Sequence, residues 1–344
     1  MRSSIQLASS AILLAIINGV TAGFDVNSNT NIAIYWGQNS YGQGTGDLAQ
    51  QRLSYYCANM DVDIIPIAFA TRIVGTGGQP EINLANAGNN CTTFDGTALL
   101  NCPEVAADIA TCQNNYDKTI LLSVGGATYT EGGFASSDAA VAAANTIWAT
   151  FGPKQPGSNA LRPFGNSSVD GFDFDFEAGT SNMAPFASQL RFLMDAASSA
   201  SYTKNRYILT AAPQCPYPDF ADNDMLNGTV FFDAIFVQFY NNYCGVQSYV
   251  AGASDQWNFN FGTWESWAKN TSKNSNVKVF LGVPANTGAA GSGYMSASAL
   301  RSVITYSSQF SSFGGTMMWD ATQAWANPGF INNVKGELHA VSNS

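Results

Sequence analysis

A chain of 344 residues with 46% hydrophobic and 12% aromatic residues can form one large α/β barrel or two ordinary domains. Its 22 Phe, 14 Tyr and 7 Trp exclude a disordered chain even though charged residues make up only 11%. A net charge of −10 argues against nucleic acid as a partner, and the single histidine, His339, excludes a His-built metal site or a Ser-His-Asp triad and reads as a surface residue.

Residues 1–22 read as a secretory signal. Arg2 is the positive region, residues 11–17 (AILLAII) are the apolar core, and Val20-Thr21-Ala22 offers small residues for cleavage. That apolar run falls short of the ~20 residues needed to cross a bilayer. No later stretch is apolar enough to span, and no hydrophobic tail follows Asn343-Ser344. The expected organisation is a signal over 1–22 and one domain over 23–344, secreted to the exterior or the cell wall. Six cysteines (Cys57, Cys91, Cys102, Cys112, Cys215 and Cys244) with no CxxC spacing predict disulfides rather than zinc. Spacing alone does not choose the pairing. Sequons at Asn90, Asn166, Asn227 and Asn270 fit a glycosylated surface.

Beyond the signal, short β-rich runs recur at 32–36, 63–70, 119–124, 169–177, 206–212, 233–240, 277–283 and 315–319. Their near-continuous apolar character is that of parallel strands covered on both faces. Helical patterns lie between them, as at 139–151, 185–197 and 296–310. Eight β-then-α units predict a (β/α)8 TIM barrel. A doubly wound open sheet is the rival, weakened because no GxGxxG or Walker loop follows any strand. About 30 residues separate the seventh and eighth strands, enough for a helix and its loops but not for an inserted α+β subdomain. The cleft is therefore expected to be an open groove.

In such barrels function sits at the C-terminal strand ends. These carry Trp36-Gly37-Gln38-Asn39, Ser123-Val124-Gly125-Gly126, Asp175-Phe176-Glu177, Gln238-Phe239-Tyr240-Asn241 and Met318-Trp319-Asp320. Aromatic faces and amides of this kind suit sugar rings and their hydroxyls. The sharpest signal is the run DGFDFDFE, residues 170–177. Alternation puts Asp173, Asp175 and Glu177 on one strand face, about 6–7 Å apart, and Phe172, Phe174 and Phe176 on the other. Asp170 falls on the phenylalanine side and reads as structural. A solvated face does not fit the interleaved phenylalanines, and no second acidic cluster or His completes a metal site. Carboxylate catalysis, with one acid kept protonated by its neighbours, fits.

DGFDFDFE resembles the DxxDxDxE signature of glycoside hydrolase family 18, and Ser123-Val124-Gly125-Gly126 its SxGG motif. The segments IAIYWGQN (32–39), TAAPQCPYPD (210–219), VQFYNN (237–242) and GGTMMW (314–319) extend the resemblance to the plant-type, or class III, chitinases of that family. The resemblance implies a (β/α)8 barrel, no cofactor or metal, and a monomer acting on chitin and its oligosaccharides. It implies Glu177 as general acid, Asp175 as the residue that orients the substrate's acetamide, and Asp173 as the inner acid sharing its proton. Tyr240 would hydrogen-bond the acetamide carbonyl, with Gln238 and Asn241 lining the pocket. Trp319 would form its floor, and Tyr35, Phe69 and Gly126 its walls. On strand position alone, Tyr35 and Phe69 fit plain core packing as well, Trp319 could be core, and Gly125-Gly126 could be only a tight turn. The resemblance also implies the pairs Cys57–Cys112, Cys91–Cys102 and Cys215–Cys244. Two alternatives stand beside an endochitinase: an endo-β-N-acetylglucosaminidase acting on N-glycans, and a chitin-binding lectin on the same barrel. The presence of Glu177, Asp175 and Tyr240 favours an enzyme over a lectin.

Overall fold

Eight apolar segments become eight parallel strands in the computed structural model, which describes residues 23–200 and 206–342. The expected signal over 1–22 lies outside the described residues. The strands are β1 (Asn31–Ile34), β2 (Ile64–Arg72), β3 (Thr119–Gly125), β4 (Gly171–Asp175), β5 (Ile208–Ala211), β6 (Ala234–Gln238), β7 (Lys278–Pro284) and β8 (Phe313–Trp319). Each pairs in parallel with its neighbour in sequence, and β1 pairs with both β8 and β2. That last pairing, Ala33 against Ile64, closes the sheet into a barrel and rules out the open doubly wound alternative.

Alternation along the strands splits the core into two layers. Ile32, Ile34, Ile65, Ile67, Leu122, Phe172 and Phe174 face outward and pack under the helices. Ala33, Tyr35, Leu121, Phe236, Phe280 and Met317 fill the barrel interior. Phe172, Phe174 and Phe176 are almost wholly buried. At about 1.5–3 kcal/mol each, they offset the cost of placing hydrogen-bonded carboxyls on the opposite face of the same strand.

The outer helices follow local signals. Ser136 caps the helix Ser137–Phe151 by accepting from Ala139 N, and Ser296 does the same for the helix Ala297–Ser307 through Ala299 N. Pro103 opens the helix Pro103–Tyr116, and Asp117 ends it in the left-handed conformation. Between β7 and β8 lie only a loop and the helix Ala297–Ser307, with no inserted subdomain. The long excursion comes instead after β2. There Glu81–Ile82 pairs antiparallel with β2, and Thr92–Thr93 pairs with Leu100–Asn101. The disulfides are Cys57–Cys112, Cys91–Cys102 and Cys215–Cys244. All four sequon asparagines are exposed. Among the described residues no helix is long and apolar enough to cross a membrane.

Candidate active site

Strand β4 projects its acids into the barrel from the middle outward. Asp173 is fully buried and is held by three hydroxyls from three other strands. Its Oδ2 accepts from Tyr35 Oη at 2.7 Å and Ser123 Oγ at 2.7 Å, and its Oδ1 accepts from Thr210 Oγ1 at 2.6 Å. Burial raises the Asp173 pKa, and the three donors oppose that rise by favouring the carboxylate. The Tyr35 phenol is pushed well above its ordinary pKa by burial and by the charges of Asp173 and Asp175, so it remains a donor.

Asp175, one step nearer the mouth, is 5% exposed and accepts from Gln238 Nε2 at 2.8 Å. The same Gln238 amide donates to Ala212 O at 2.9 Å, which fixes its orientation. The Asp173 and Asp175 carboxyls make no hydrogen bond to each other; Asp175 is turned to Gln238. Its pKa is raised well above the carboxylate range by burial first, then by repulsion from Glu177 and Asp173. Glu177 lies just past the end of the strand, exposed at the mouth and without a hydrogen-bond partner among the described residues. Desolvation raises its pKa too. The expected repulsion between the two acids thus weighs on Asp175, while the cause at Glu177 is loss of water. Together they hold a proton to higher pH than either would alone.

Tyr240 is buried, with its phenol pKa raised well above 10 by burial and by the charges of Asp175, Glu177 and Asp173. It packs under Gly293 (φ +99°), where a Cβ would come 2.7 Å from the tyrosine Cβ. Trp319 is half-buried and stacks on Phe69, centroids 5.8 Å apart at 19°, with Tyr35 5.6 Å from the indole. Gly126 (φ +81°) completes this aromatic corner: a Cβ there would sit 2.7 Å from the Phe69 ring, so only glycine admits that ring position. Asn241 Oδ1 accepts from Gly291 N at 2.8 Å and Ser292 N at 3.2 Å, so this residue also anchors the loop after β7.

Two neighbours of the motifs are structural. Asp320 accepts from Thr322 Oγ1, Gln323 N and Ser40 N, and Gln38 donates to Ala68 O and Asn83 O. Asp170 holds Ile120 N and Gln113 Nε2 near the entry of β4, and burial pushes its pKa up to about 6. Sequence reasoning missed Thr210 as a partner of Asp173, although its inward position on β5 is a period-2 signal. It also missed Asp219, which accepts from Gln214 N, Ala221 N and Asp222 N, and the wholly buried Asp222 beside it.

A closed parallel barrel whose strand ends converge three carboxyls, a phenol and an aromatic corner has the make-up of a carboxylate-dependent glycosidase. The chain belongs to the glycosyl hydrolases family 18, which matches residues 31–295. It is 50% identical to a class III chitinase of Arthroderma benhamiae over 99% of this chain and 95% of the relative. It is likewise 50% identical to endochitinase 33 of Trichoderma harzianum, over 97% of this chain and 99% of the relative. Among solved structures, a xylanase and α-amylase inhibitor protein of Scadoxus multiflorus superposes with a TM-score of 0.68 at 30% identity, covering 89% of this chain and 98% of that one. The same barrel thus occurs in an inhibitor, and the side chains rather than the fold must carry the functional reading.

Proposed function

We propose that this chain is a secreted endochitinase that hydrolyses β-1,4-linked N-acetylglucosamine polymers with retention of configuration, the substrate's own acetamide acting as nucleophile. One observation carries the reading: the buried Asp175 carboxyl, oriented by Gln238, lies within electrostatic reach of both the Tyr240 phenol and Glu177, and Glu177 has no hydrogen-bond partner among the described residues. Retaining glycosidases that use a protein nucleophile need a second carboxylate about 5–5.5 Å from the acid, and substrate-assisted enzymes dispense with it. Here the acetamide oxygen attacks the anomeric carbon as the glycosidic bond breaks, and Glu177 gives its proton to the departing oxygen. The positive charge that develops on the acetamide falls beside Asp175, and Tyr240 donates to its carbonyl oxygen. Trp319 is the floor under the distorted sugar, with Tyr35 and Phe69 behind it. Water then opens the cyclic intermediate at the anomeric carbon and returns a proton to Glu177. Asp173 keeps Asp175 company as a charge fixed by three hydroxyls. Exposed sequons and three disulfides favour an extracellular site of action.

The test is hydrolysis of soluble chitin oligomers followed by NMR. The first products are expected as the β-anomer, and a glucose polymer lacking acetamides is expected to remain intact. Early α-anomer, or cleavage of the glucose polymer, would contradict the mechanism. The groove makes a second expectation. With no subdomain between β7 and β8 to wall the cleft, a chain can enter at its middle. The viscosity of a soluble chitin derivative should fall before much reducing sugar appears; disaccharide release at nearly constant viscosity would show a closed cleft.

A further inference from the structure

The loops that follow β5 and β6 carry three large aromatic side chains in solvent: Phe220 is 84% exposed, Tyr243 63% and Tyr217 39%. A lone exposed apolar side chain is ordinary, but three large ones on two tied loops call for a reason. The loops are rigidly joined. Cys215–Cys244 links them, Asn242 Nδ2 donates to Gln214 Oε1 at 3.0 Å, and Trp264 Nε1 and Asn260 Nδ2 both donate to Cys215 O. Tyr217 rests edge-on against the buried Trp264, centroids 5.3 Å apart at 84°.

The turn that bears Phe220 is fixed by its predecessor. Asp219 is buried and spends both oxygens on the backbone N–H groups of Gln214, Ala221 and Asp222. Phe220 is thereby turned outward, and its ring lies over Gly179, two residues beyond Glu177. A Cβ on Gly179 would come 3.2 Å from the ring atoms Cε1 and Cζ. Thr180 Oγ1 donates to Ala221 O at 3.3 Å, binding the β4 loop to the same turn. In the strand order β4 lies opposite β8, and β5 opposite β1. Phe220 therefore lies on the β4–β5 side of the barrel, opposite the strand ends that carry Trp319 and Tyr35.

We propose that Phe220 is a sugar-stacking platform on the leaving-group side of the cut, and that it helps decide which bond of a short oligomer is broken. This rests on the proposed function. A chain whose distorted sugar lies on Trp319, and whose glycosidic oxygen reaches Glu177, continues over Gly179 and the exposed ring. The occupant is the reducing-end portion of an N-acetylglucosamine chain. It is neutral, and the same two loops carry the neutral amides Gln214, Asn242 and Gln247.

The experiment is brief hydrolysis of the chitin pentamer in water enriched in oxygen-18, with products read by mass spectrometry. The heavy oxygen enters only the product from the non-reducing side, so labelled trimer reports two sugars on the leaving-group side and labelled tetramer reports one. Phe220→Ala, an exposed change that leaves the core untouched, is expected to lower the ratio of labelled trimer to labelled tetramer about three- to tenfold, the worth of one aromatic stacking contact under the second leaving-group sugar. Phe220→Tyr is expected to keep the parent ratio. An unchanged ratio in Phe220→Ala overturns the platform. A wild type that cuts no pentamer overturns the chitinase reading instead. The platform is then judged by titrating the pentamer into Glu177→Gln with and without Phe220→Ala, where equal affinities refute it and a loss of the same size supports it.

Discussion

Replacing Glu177 by Gln is expected to lower kcat on soluble chitin oligomers by roughly 10²–10⁴-fold or more, with KM little changed. Gln keeps the volume and the hydrogen-bonding reach of Glu and loses only the transferable proton. Glu177 stands past the last ladder residue of β4 and hydrogen-bonds to none of the described residues, so the substitution should leave the fold intact. A group that acts only in the transition state changes kcat and kcat/KM together. The wild-type pH profile should carry the same signature. Partial desolvation raises the Glu177 pKa, so its proton is held to higher pH than on a free glutamate. Activity is expected to fall as pH rises through that raised value, and this limb should vanish in the Gln variant. Turnover near the wild-type level would remove Glu177 from the proton transfer.

The acidic strand was legible because its information is local. Period-2 alternation in DGFDFDFE sorts Phe172, Phe174 and Phe176 to the helices and Asp173 and Asp175 to the interior, and the structure follows that sorting. The eight strands were legible for the same reason, each being a short apolar run. Their ends were less so. The fourth was expected over 169–177 and pairs only over Gly171–Asp175, because Glu177 lies where the chain has already left the ladder. The eighth was expected from Gly315 and begins at Phe313, because the register shifts so that Phe313 pairs with Val279 and Gly315 with Phe280. What no local pattern carries is the company a residue keeps. The three hydroxyls on Asp173 come from positions 138, 50 and 37 residues away in sequence. Asn241 is expected in the sugar pocket from its place after Tyr240, and no local pattern announces that its oxygen also takes two backbone donors from the loop after β7. Asp219 and Asp222 look like ordinary surface turn residues in sequence, and only the packing of the β5 loop buries them.

Replacing Asp175 by Asn is expected to cost about 10²–10³-fold in kcat, comparable to losing one preorganised electrostatic contact in a dry site. The change is nearly isosteric, and the Asn carbonyl can still accept from Gln238 Nε2, so the fold and the pocket shape should survive. What disappears is a carboxyl able to release its proton and turn negative beside the acetamide as the positive charge develops. The substitution also uncouples the acids. In the wild type Asp175 is raised well above the carboxylate range, with repulsion from Glu177 its largest cause after burial. With Asn in place Glu177 no longer shares a proton with that neighbour and is raised by desolvation alone. The alkaline limb of the pH–rate profile should therefore move to lower pH. Steady-state hydrolysis of the chitin tetramer across pH measures both effects. A variant with wild-type kcat would show that the acetamide's charge is stabilised elsewhere, and a reduced kcat with an unmoved alkaline limb would show that Asp175 and Glu177 titrate independently.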